Sequence, residues 1–220
     1  TVGPEINGAR RWLRLGAFSL QPSEFAKPAF AVLTAWLLAE SKHRPDMPAV
    51  ALSIGLFAIL AGLLALQPDI GQTLLITIVW LALFYMSGQR LIWVTSFATA
   101  GAAALAAAYF LLPHVRSRID RHLGGAGDTY QVDRALQSFV EGGFFGKGPG
   151  EGAIKSILPD AHTDFIFAVI GEEYGILACL ALLGLYAFIT LRALAHAVES
   201  RDLFTRLAVA GLTLMFAIQV

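Results

Sequence analysis

The chain has 220 residues, of which 56% are hydrophobic and 15% are charged, and its 16 basic and 16 acidic side chains cancel. Soluble domains carry about 25% charged residues, so this composition and a mean hydropathy of +0.65 exclude an ordinary soluble protein. The zero net charge gives no basis for a nucleic-acid partner, and a single cysteine excludes an intrachain disulfide. The chain opens without Met and stops within an apolar run, which predicts a fragment of a longer protein.

The polar segment 1–23 is predicted to be a loop that leads into the first helix. Pro22 suits the first helical turn, where its missing N–H costs nothing. Glu24 and Lys27 are three residues apart, so they lie on one helix face and can pair. The alternative is that they mark the membrane interface, with the Lys27 ammonium reaching into water. Both interpretations stay open at this point.

Six apolar segments follow, and most have the roughly 20 residues needed to cross the hydrocarbon of a bilayer. Their residue ranges are 25–39, 49–66, 70–89, 91–113, 165–191 and 207–220. None shows the period-two alternation of a membrane β-barrel. The sequence therefore predicts an all-α, polytopic transmembrane helix bundle that forms a single membrane domain over residues 1–220.

Asp69 stands between two of these segments, in "LQPDIG". Pro68 and Gly71 favour a tight turn, and Asp is a common turn residue, so a purely structural role is the first interpretation. Helix alternation nevertheless places Asp69 on the same side of the membrane as Glu24 and Lys27. That shared side makes it a candidate site residue.

The longest connection, 114–164, contains no spanning segment, and long connections of this kind are commonly functional. Within it, apolar residues recur on one helix face. They are Val132, Ala135, Leu136, Phe139 and Val140. An amphipathic helix is predicted here, bounded by a capping box at Asp128 and a stop at Gly142-Gly143. It is expected to lie along the bilayer surface or over the helix bundle. The glycines of "GGFFGKGPGEG" then permit close backbone approach.

Charged residues recur at the start of the fifth apolar segment. Asp160, His162 and Asp164 fall within "LPDAHTDFIF", but their spacing matches no standard metal-ligand motif. Asp164 also suits a helix N-terminus, where the macrodipole favours negative charge. Glu172 and Glu173 lie inside the apolar run, and at least one of them is predicted to form hydrogen bonds within the bundle rather than to react.

Basic residues in the loops indicate an anionic ligand, since Arg and Lys bind phosphate groups well. A pyrophosphate at the membrane surface and anionic lipid head groups are both compatible with them. The distribution of positive charge leaves the topology open, because long loops escape the rule that short cytoplasmic loops are basic.

Four segments carry a family resemblance, and they are spread in this order over most of the chain. They are "NGARRWLRLGAFSLQPSEFAK", "QPDIGQTLL", "GGFFGKGPGEG" and "LPDAHTDFIFAVIGEEYG". As a set they resemble the SEDS (shape, elongation, division, sporulation) family, and most closely its division branch. An elongation or sporulation paralogue stays open.

The resemblance implies a peptidoglycan glycosyltransferase that polymerises lipid II into glycan strands, with polyprenyl pyrophosphate as the leaving group. It implies a multi-pass protein of the bacterial cytoplasmic membrane, at the division septum, whose loop 114–164 and active site are extracytoplasmic. The implied partners are lipid II, the growing lipid-linked glycan, a class B penicillin-binding transpeptidase and other division proteins.

The resemblance also assigns roles to individual residues. Asp164 matches the family's essential acidic residue and is expected to be the general base. Five further residues are expected to bind substrate. Glu24, Lys27 and Asp69 match family positions that line the same central cavity as Asp164, and Arg11 and Lys155 are expected to hold the pyrophosphate. A divalent cation, Mg²⁺ or Mn²⁺, is compatible with this chemistry, but no set of ligands demands one and no metal site is predicted.

Two other functions stay open. A lipid II flippase needs polar residues along the whole path across the membrane, whereas the charged positions here concentrate near one face, apart from Glu172 and Glu173. A scaffold that recruits division proteins needs no catalytic group and is compatible with catalysis in the same chain.

Overall fold

The computed structural model describes residues 13–15, 18–67, 69–111, 115–117, 120, 130–154, 157 and 165–219. Its elements are two short strands and seven helices within that part of the chain. They are β1 (Leu13–Leu15), β2 (Phe18–Leu20), α1 (Pro22–His43), α2 (Ala49–Leu66), α3 (Ile70–Met86), α4 (Leu91–Leu111), α5 (Tyr130–Gly142), α6 (Ile166–Glu199) and α7 (Leu203–Gln219).

The predicted all-α fold is confirmed, with one small departure. Strands β1 and β2 pair antiparallel, with Leu13 opposite Leu20, in a stretch that the sequence predicts as a loop. Helix α1 begins at Pro22, earlier than the predicted apolar segment 25–39, and therefore includes the charged first turn. Helix α3 ends before Gly88, whose φ of 78° is incompatible with a right-handed helix.

Three helices of the described chain, α2, α4 and α6, are long and apolar enough to cross a membrane. Helices α3 and α7 are apolar but have 17 residues each. At 1.5 Å per residue they measure about 26 Å, slightly less than the roughly 30 Å of hydrocarbon. A helix thus occupies most of each of the six predicted segments, and three of these helices are long and apolar enough to span a membrane.

The chain divides into two compact units, and the first comprises residues 1–105 and 190–220. Its core is centred on Trp80, which is fully buried. The indole Nε1 donates to Ser53 Oγ at 3.0 Å. The indole ring also stacks on Phe57 and Phe84 at centroid distances of 4.7 and 4.8 Å. Satisfying the indole N–H in this way lets a large aromatic ring occupy an apolar core without an unpaired donor.

The second unit comprises residues 106–189 and contains α5 and most of α6. Helix α5 confirms the predicted amphipathic helix and ends, as predicted, at Gly142. Its apolar side packs through Phe139 on a small cluster around Ile154 and Ala168. Helix α6 is interrupted at Gly175, which has φ 79° and ψ 177°.

Candidate functional site

The first candidate site is built on the start of α1. Because α1 begins at Pro22, Glu24 and Lys27 fall one turn apart on the same face. Lys27 Nζ lies 2.8 Å from Glu24 Oε2, and the Lys27 side chain is 2% exposed whereas that of Glu24 is 46% exposed. The predicted pairing is confirmed, and the alternative in which the Lys27 ammonium reaches into water is wrong.

The start of α3 completes this site. Asp69 caps α3, since its Oδ1 accepts from the backbone N–H of Gln72 at 3.4 Å. The Gln72 amide Nε2 in turn donates to Glu24 Oε1 at 3.5 Å. The structure therefore connects Glu24, Lys27 and Asp69, and the residue that connects them, Gln72, is not among the site residues predicted from the sequence. Its position three residues after the capping Asp69 is the signal that could have found it.

A groove of about 290 Å³ opens beside this cluster, between the first turns of α3 and the end of α7. Asp69 and Gln72 give it a polar end, and Leu75, Ile78 and Ile218 are among its apolar walls. Such a groove can accept hydroxyl or amide groups at one end and an alkyl chain along the rest. Asp69 is the N-cap residue of α3 and at the same time a lining residue of the groove, while Pro68 of the predicted turn lies outside the described residues.

Three of the predicted site residues, Arg11, Lys155 and Asp164, lie outside the described residues. Asp160, His162 and the predicted cap Asp128 lie outside them as well. The roles of Arg11, Lys155 and Asp164 therefore stay predictions. The described residues next to them, Ile154 and Phe165, meet in the apolar cluster of the second unit.

Glu172 forms the centre of a second polar site, on α6. It is completely buried, and its carboxylate accepts from the backbone N–H of Ala153 at 2.8 Å and of Ile154 at 3.1 Å. Lys147 Nζ lies 3.5 Å from Glu172 Oε1. The prediction that at least one of the two glutamates forms hydrogen bonds is confirmed. The partners of Glu172 belong to the loop 143–154, which we call the glycine-rich loop.

Lys147 also pairs with Glu141 at the end of α5. The hydrogen bond from the Lys147 ammonium, followed by that from the Gln137 amide, lowers the pKa of the Glu141 carboxyl. The same contact to Glu141 raises the pKa of Lys147. Both groups are therefore held in their charged forms, and Lys147 joins the end of α5 to α6.

The interruption of α6 at Gly175 is filled by the glycine-rich loop. Ordinary helix bonds from residues 176 and 177 to the carbonyls of 172 and 173 are replaced by bonds to the loop. The four replacements are Ile176 N to Gly143 O (2.9 Å), Leu177 N to Phe144 O (3.4 Å), Lys147 N to Glu172 O (2.9 Å) and Gly148 N to Glu173 O (3.0 Å). The broken helix thus leaves none of these four pairs of backbone groups unsatisfied, as an apolar environment requires.

The sequence along the whole chain identifies the family. The family model described as cell cycle protein, which covers FtsW, RodA and SpoVE, matches residues 1–220. The chain belongs to this family. The resemblance drawn from the four sequence motifs is therefore confirmed, and with it a multi-pass membrane protein.

Members of the family from several bacteria are similar to the chain. A probable peptidoglycan glycosyltransferase FtsW from Caulobacter vibrioides is 43% identical over 212 residues, which cover 96% of the chain and 54% of the relative. A peptidoglycan glycosyltransferase RodA from Mycobacterium tuberculosis is 36% identical over 233 residues, covering 98% and 50%. The chain thus spans about half the length of the curated relatives that it matches.

Solved structures of the family share the fold. A peptidoglycan synthase complex, studied for how it coordinates polymerization and crosslinking, matches with a TM-score of 0.72 and 31% identity, over 99% of this chain and 62% of the solved chain. The rod shape determining protein RodA of Thermus thermophilus matches with a TM-score of 0.58 and 26% identity, over 99% and 57%.

Proposed function

We propose that the protein to which this chain belongs is a peptidoglycan glycosyltransferase that polymerises lipid II in the bacterial cytoplasmic membrane. The observation that supports this best is the buried Lys27, paired with Glu24 and linked through Gln72 to Asp69. Charged groups held inside an apolar helix bundle are costly and mark substrate sites. Both relatives named above carry the name of this activity.

In the proposed reaction Asp164 is the general base. Its carboxylate takes the proton of the sugar 4-hydroxyl of one substrate, and that oxygen attacks the anomeric carbon of the other. A new glycosidic C–O bond forms, and the bond to polyprenyl pyrophosphate breaks with inversion. The leaving group keeps the electron pair, and Arg11 and Lys155 neutralise its charge.

Glu24, Lys27 and Asp69 have a binding role in this proposal rather than a chemical one. The Lys27 ammonium lies 2.8 Å from the Glu24 carboxylate, so it is poorly placed to act as a base. The polar end of the groove, at Asp69 and Gln72, suits the hydroxyl and amide groups of an amino sugar. Its apolar walls suit the first part of a lipid chain.

Polymerisation of labelled lipid II by the full-length protein with its transpeptidase partner tests the proposal. Wild type is expected to make glycan chains, and Asp164→Asn is expected to make none while retaining its fold and partner binding. Asp160→Asn, four residues earlier in the same loop, is the matched control and is expected to remain active. Polymer formation by Asp164→Asn at the wild-type rate would overturn the assignment of the base. Movement of lipid II across vesicles without any polymer would favour a flippase.

The cation, the partners and the location are further parts of the proposal. Mg²⁺ or Mn²⁺ would neutralise the leaving pyrophosphate, although the described residues contain no group of three or more His, Cys, Asp or Glu side chains able to hold a metal. Loss of polymer with EDTA and its return with either ion tests this requirement. We also propose a class B penicillin-binding transpeptidase as partner, the division septum as location and the extracytoplasmic face as the side of catalysis.

A further inference from the structure

Helix α5 uses only part of its apolar surface for packing within the described part of the chain. Ala135 and Phe139 face the cluster around Ile154 and Ala168. A second set of apolar side chains is more than half exposed and recurs at every fourth residue, on successive turns, before ending in the loop. These residues, the apolar stripe, are Val132, Leu136, Val140, Phe144 and Phe145.

Polar side chains on the adjacent face of α5 border the apolar stripe. Gln137 accepts from Arg134 and donates to Glu141, each at 2.7 Å. At 100° per residue, Gln137 and Glu141 lie about one quarter turn beyond Leu136 and Val140. A helix with one apolar and one charged side, and no excess of hydrophobic residues overall, is the kind that lies in a membrane interface.

The uncharged stretch of α6 indicates where the edge of the hydrocarbon lies along the second unit. The interruption at Gly175 divides α6, and the part that follows it, residues 176–199, measures about 36 Å, which exceeds the roughly 30 Å of hydrocarbon. Residues 174–191 carry no charge, whereas Glu172 and Glu173 precede them and Arg192 follows. This uncharged stretch measures about 27 Å, so the hydrocarbon begins close to Tyr174.

The backbone hydrogen bonds at the interruption of α6 place the end of the stripe at the same level as the start of the uncharged stretch. Phe144 O accepts from Leu177 N at 3.4 Å, so Phe144 lies level with the first turn of the uncharged stretch. Phe144 and Phe145 are 71% and 83% exposed at that level. Tyr174, Ile176 and Leu177 of α6 are exposed at that level as well. The end of the stripe is therefore level with exposed apolar side chains of α6.

We propose that the apolar stripe is a lipid-binding surface. Val132, Leu136 and Val140 insert into the interface of the bilayer on the side where α6 begins, and Phe144 and Phe145 enter the edge of the hydrocarbon. The polar side of α5 faces water. In this arrangement the connection from α5 to α6 is anchored to the membrane. The proposal does not depend on the reaction proposed above.

Spin labelling of the full-length protein in phosphatidylethanolamine–phosphatidylglycerol vesicles tests the proposal. Native cysteines are replaced, and a nitroxide is attached at Leu136→Cys, Val140→Cys or the matched control Gln137→Cys on the adjacent face. Collision rates with oxygen, which concentrates in lipid, and with a water-soluble nickel chelate are then measured. We expect the oxygen-to-nickel ratio to be several-fold higher at 136 and 140 than at 137.

Two outcomes would overturn the proposal. Equal access of the nickel chelate to all three positions would show that the stripe faces water. Protection of 136 and 140 from both reagents would show that a protein surface covers it, from another part of the chain or from a partner. If either labelled variant fails to fold, Phe145→Cys, at the exposed end of the stripe, gives the same measurement.

Discussion

Lys27 is a charged side chain that folding has removed from solvent almost completely, with the Glu24 carboxylate 2.8 Å from its ammonium. Removing one partner of a buried ion pair leaves an uncompensated charge, which costs about 3–5 kcal/mol when both groups are buried. Glu24 is 46% exposed, and water screens this pair, so we expect a smaller loss. Glu24→Ala is predicted to lower the free energy of unfolding by about 1–3 kcal/mol.

The companion variant is Lys27→Met, which keeps much of the side-chain volume without the charge. Its stability is predicted to equal or exceed that of wild type, because no buried charge remains unpaired. Thermal unfolding of both variants in the same detergent measures the difference. Equal losses for Glu24→Ala and Lys27→Met would contradict this account of the pair.

The contacts of this site differ in how far they could be predicted. The pair Glu24–Lys27 is a local consequence of helix periodicity, so the sequence predicts it once the helix start is correct. The bond from Gln72 to Glu24 joins residues that are 48 apart in the chain. Helix packing alone sets such a contact, and no spacing rule reaches across it. The apolar run around Glu172 and Glu173 likewise predicts hydrogen bonds for at least one of them. It does not indicate which one, or that the partners of Glu172 are the N–H groups of Ala153 and Ile154.

Asp202, just before α7, offers a test that depends on pH. Its Oδ2 accepts from the Thr205 hydroxyl at 2.6 Å and from the Thr205 backbone N–H at 2.8 Å. These bonds lower the pKa of Asp202 below its ordinary value of 3.8, and the charge of His43 has a smaller effect in the same direction. A lowered pKa means that the contribution to stability is present above pH 3.8 and is lost as the pH falls through the lower folded-state value.

The predicted result is a melting temperature of Asp202→Ala that is below that of wild type at pH 6 to 7. The gap is expected to close progressively below pH 3.8, as the wild-type carboxyl becomes protonated. Asp202→Asn, which keeps an oxygen acceptor, is the control, and its difference from Asp202→Ala should not vary with pH in this range. A gap that widens in acid would mean that the capping interaction does not set the pKa of Asp202.

At the scale of elements, the break in α6 depends on glycines that permit contact between two backbones. Gly146 has φ 80°, and a Cβ there would collide with the Glu173 carbonyl. Gly150 has φ 86°, but a Cβ there would meet no atom within 4 Å. The two positions share a positive φ and differ in the space available to a Cβ, so comparing them distinguishes the cost of backbone strain from that of steric collision.

Alanine at these two positions is therefore predicted to have unequal effects. Gly150→Ala is expected to cost about 1–2 kcal/mol for the left-handed conformation alone. Gly146→Ala carries that cost and a further 1–3 kcal/mol, roughly, for the overlap with Glu173. Unfolding free energies measure both, and limited proteolysis of the loop 143–154 reports whether it detaches from α6. Similar losses for the two variants would argue against tight docking of the loop.

The sequence predicts the elements of this region better than their assembly. The amphipathic period locates α5, and the glycines of the loop indicate close backbone approach. Gly175 gives no comparable signal, because a lone glycine in an apolar run is compatible with a continuous helix. The helix breaks where loop groups replace its own hydrogen bonds, so the interruption is a tertiary feature.

For the whole molecule, hydropathy predicts which segments are helical but not which helices form the core. Lipid is as apolar as the protein interior, so both sides of a membrane helix carry similar residues. In the described structure α1, α3 and α7 pack closely, whereas α4 has no buried residue. Close contact at small residues, rather than hydrophobicity, distinguishes α1, α3 and α7 from α4.

Two glycines in apolar helices test this distinction. A Cβ at Gly211 of α7 would lie 3.0 Å from Leu83 Cδ1 and 3.5 Å from Ala31 Cβ, whereas a Cβ at Gly101 of α4 would meet no atom within 4 Å. Gly211→Val is predicted to destabilise the protein by about 1–3 kcal/mol, since its methyl groups would push α7 away from α3. Gly101→Val is predicted to change stability by less than about 0.5 kcal/mol. Thermal unfolding in micelles measures both changes. If Gly101→Val is as harmful as Gly211→Val, then the face of α4 that carries Gly101 packs against protein, because lipid would yield to the added methyl groups.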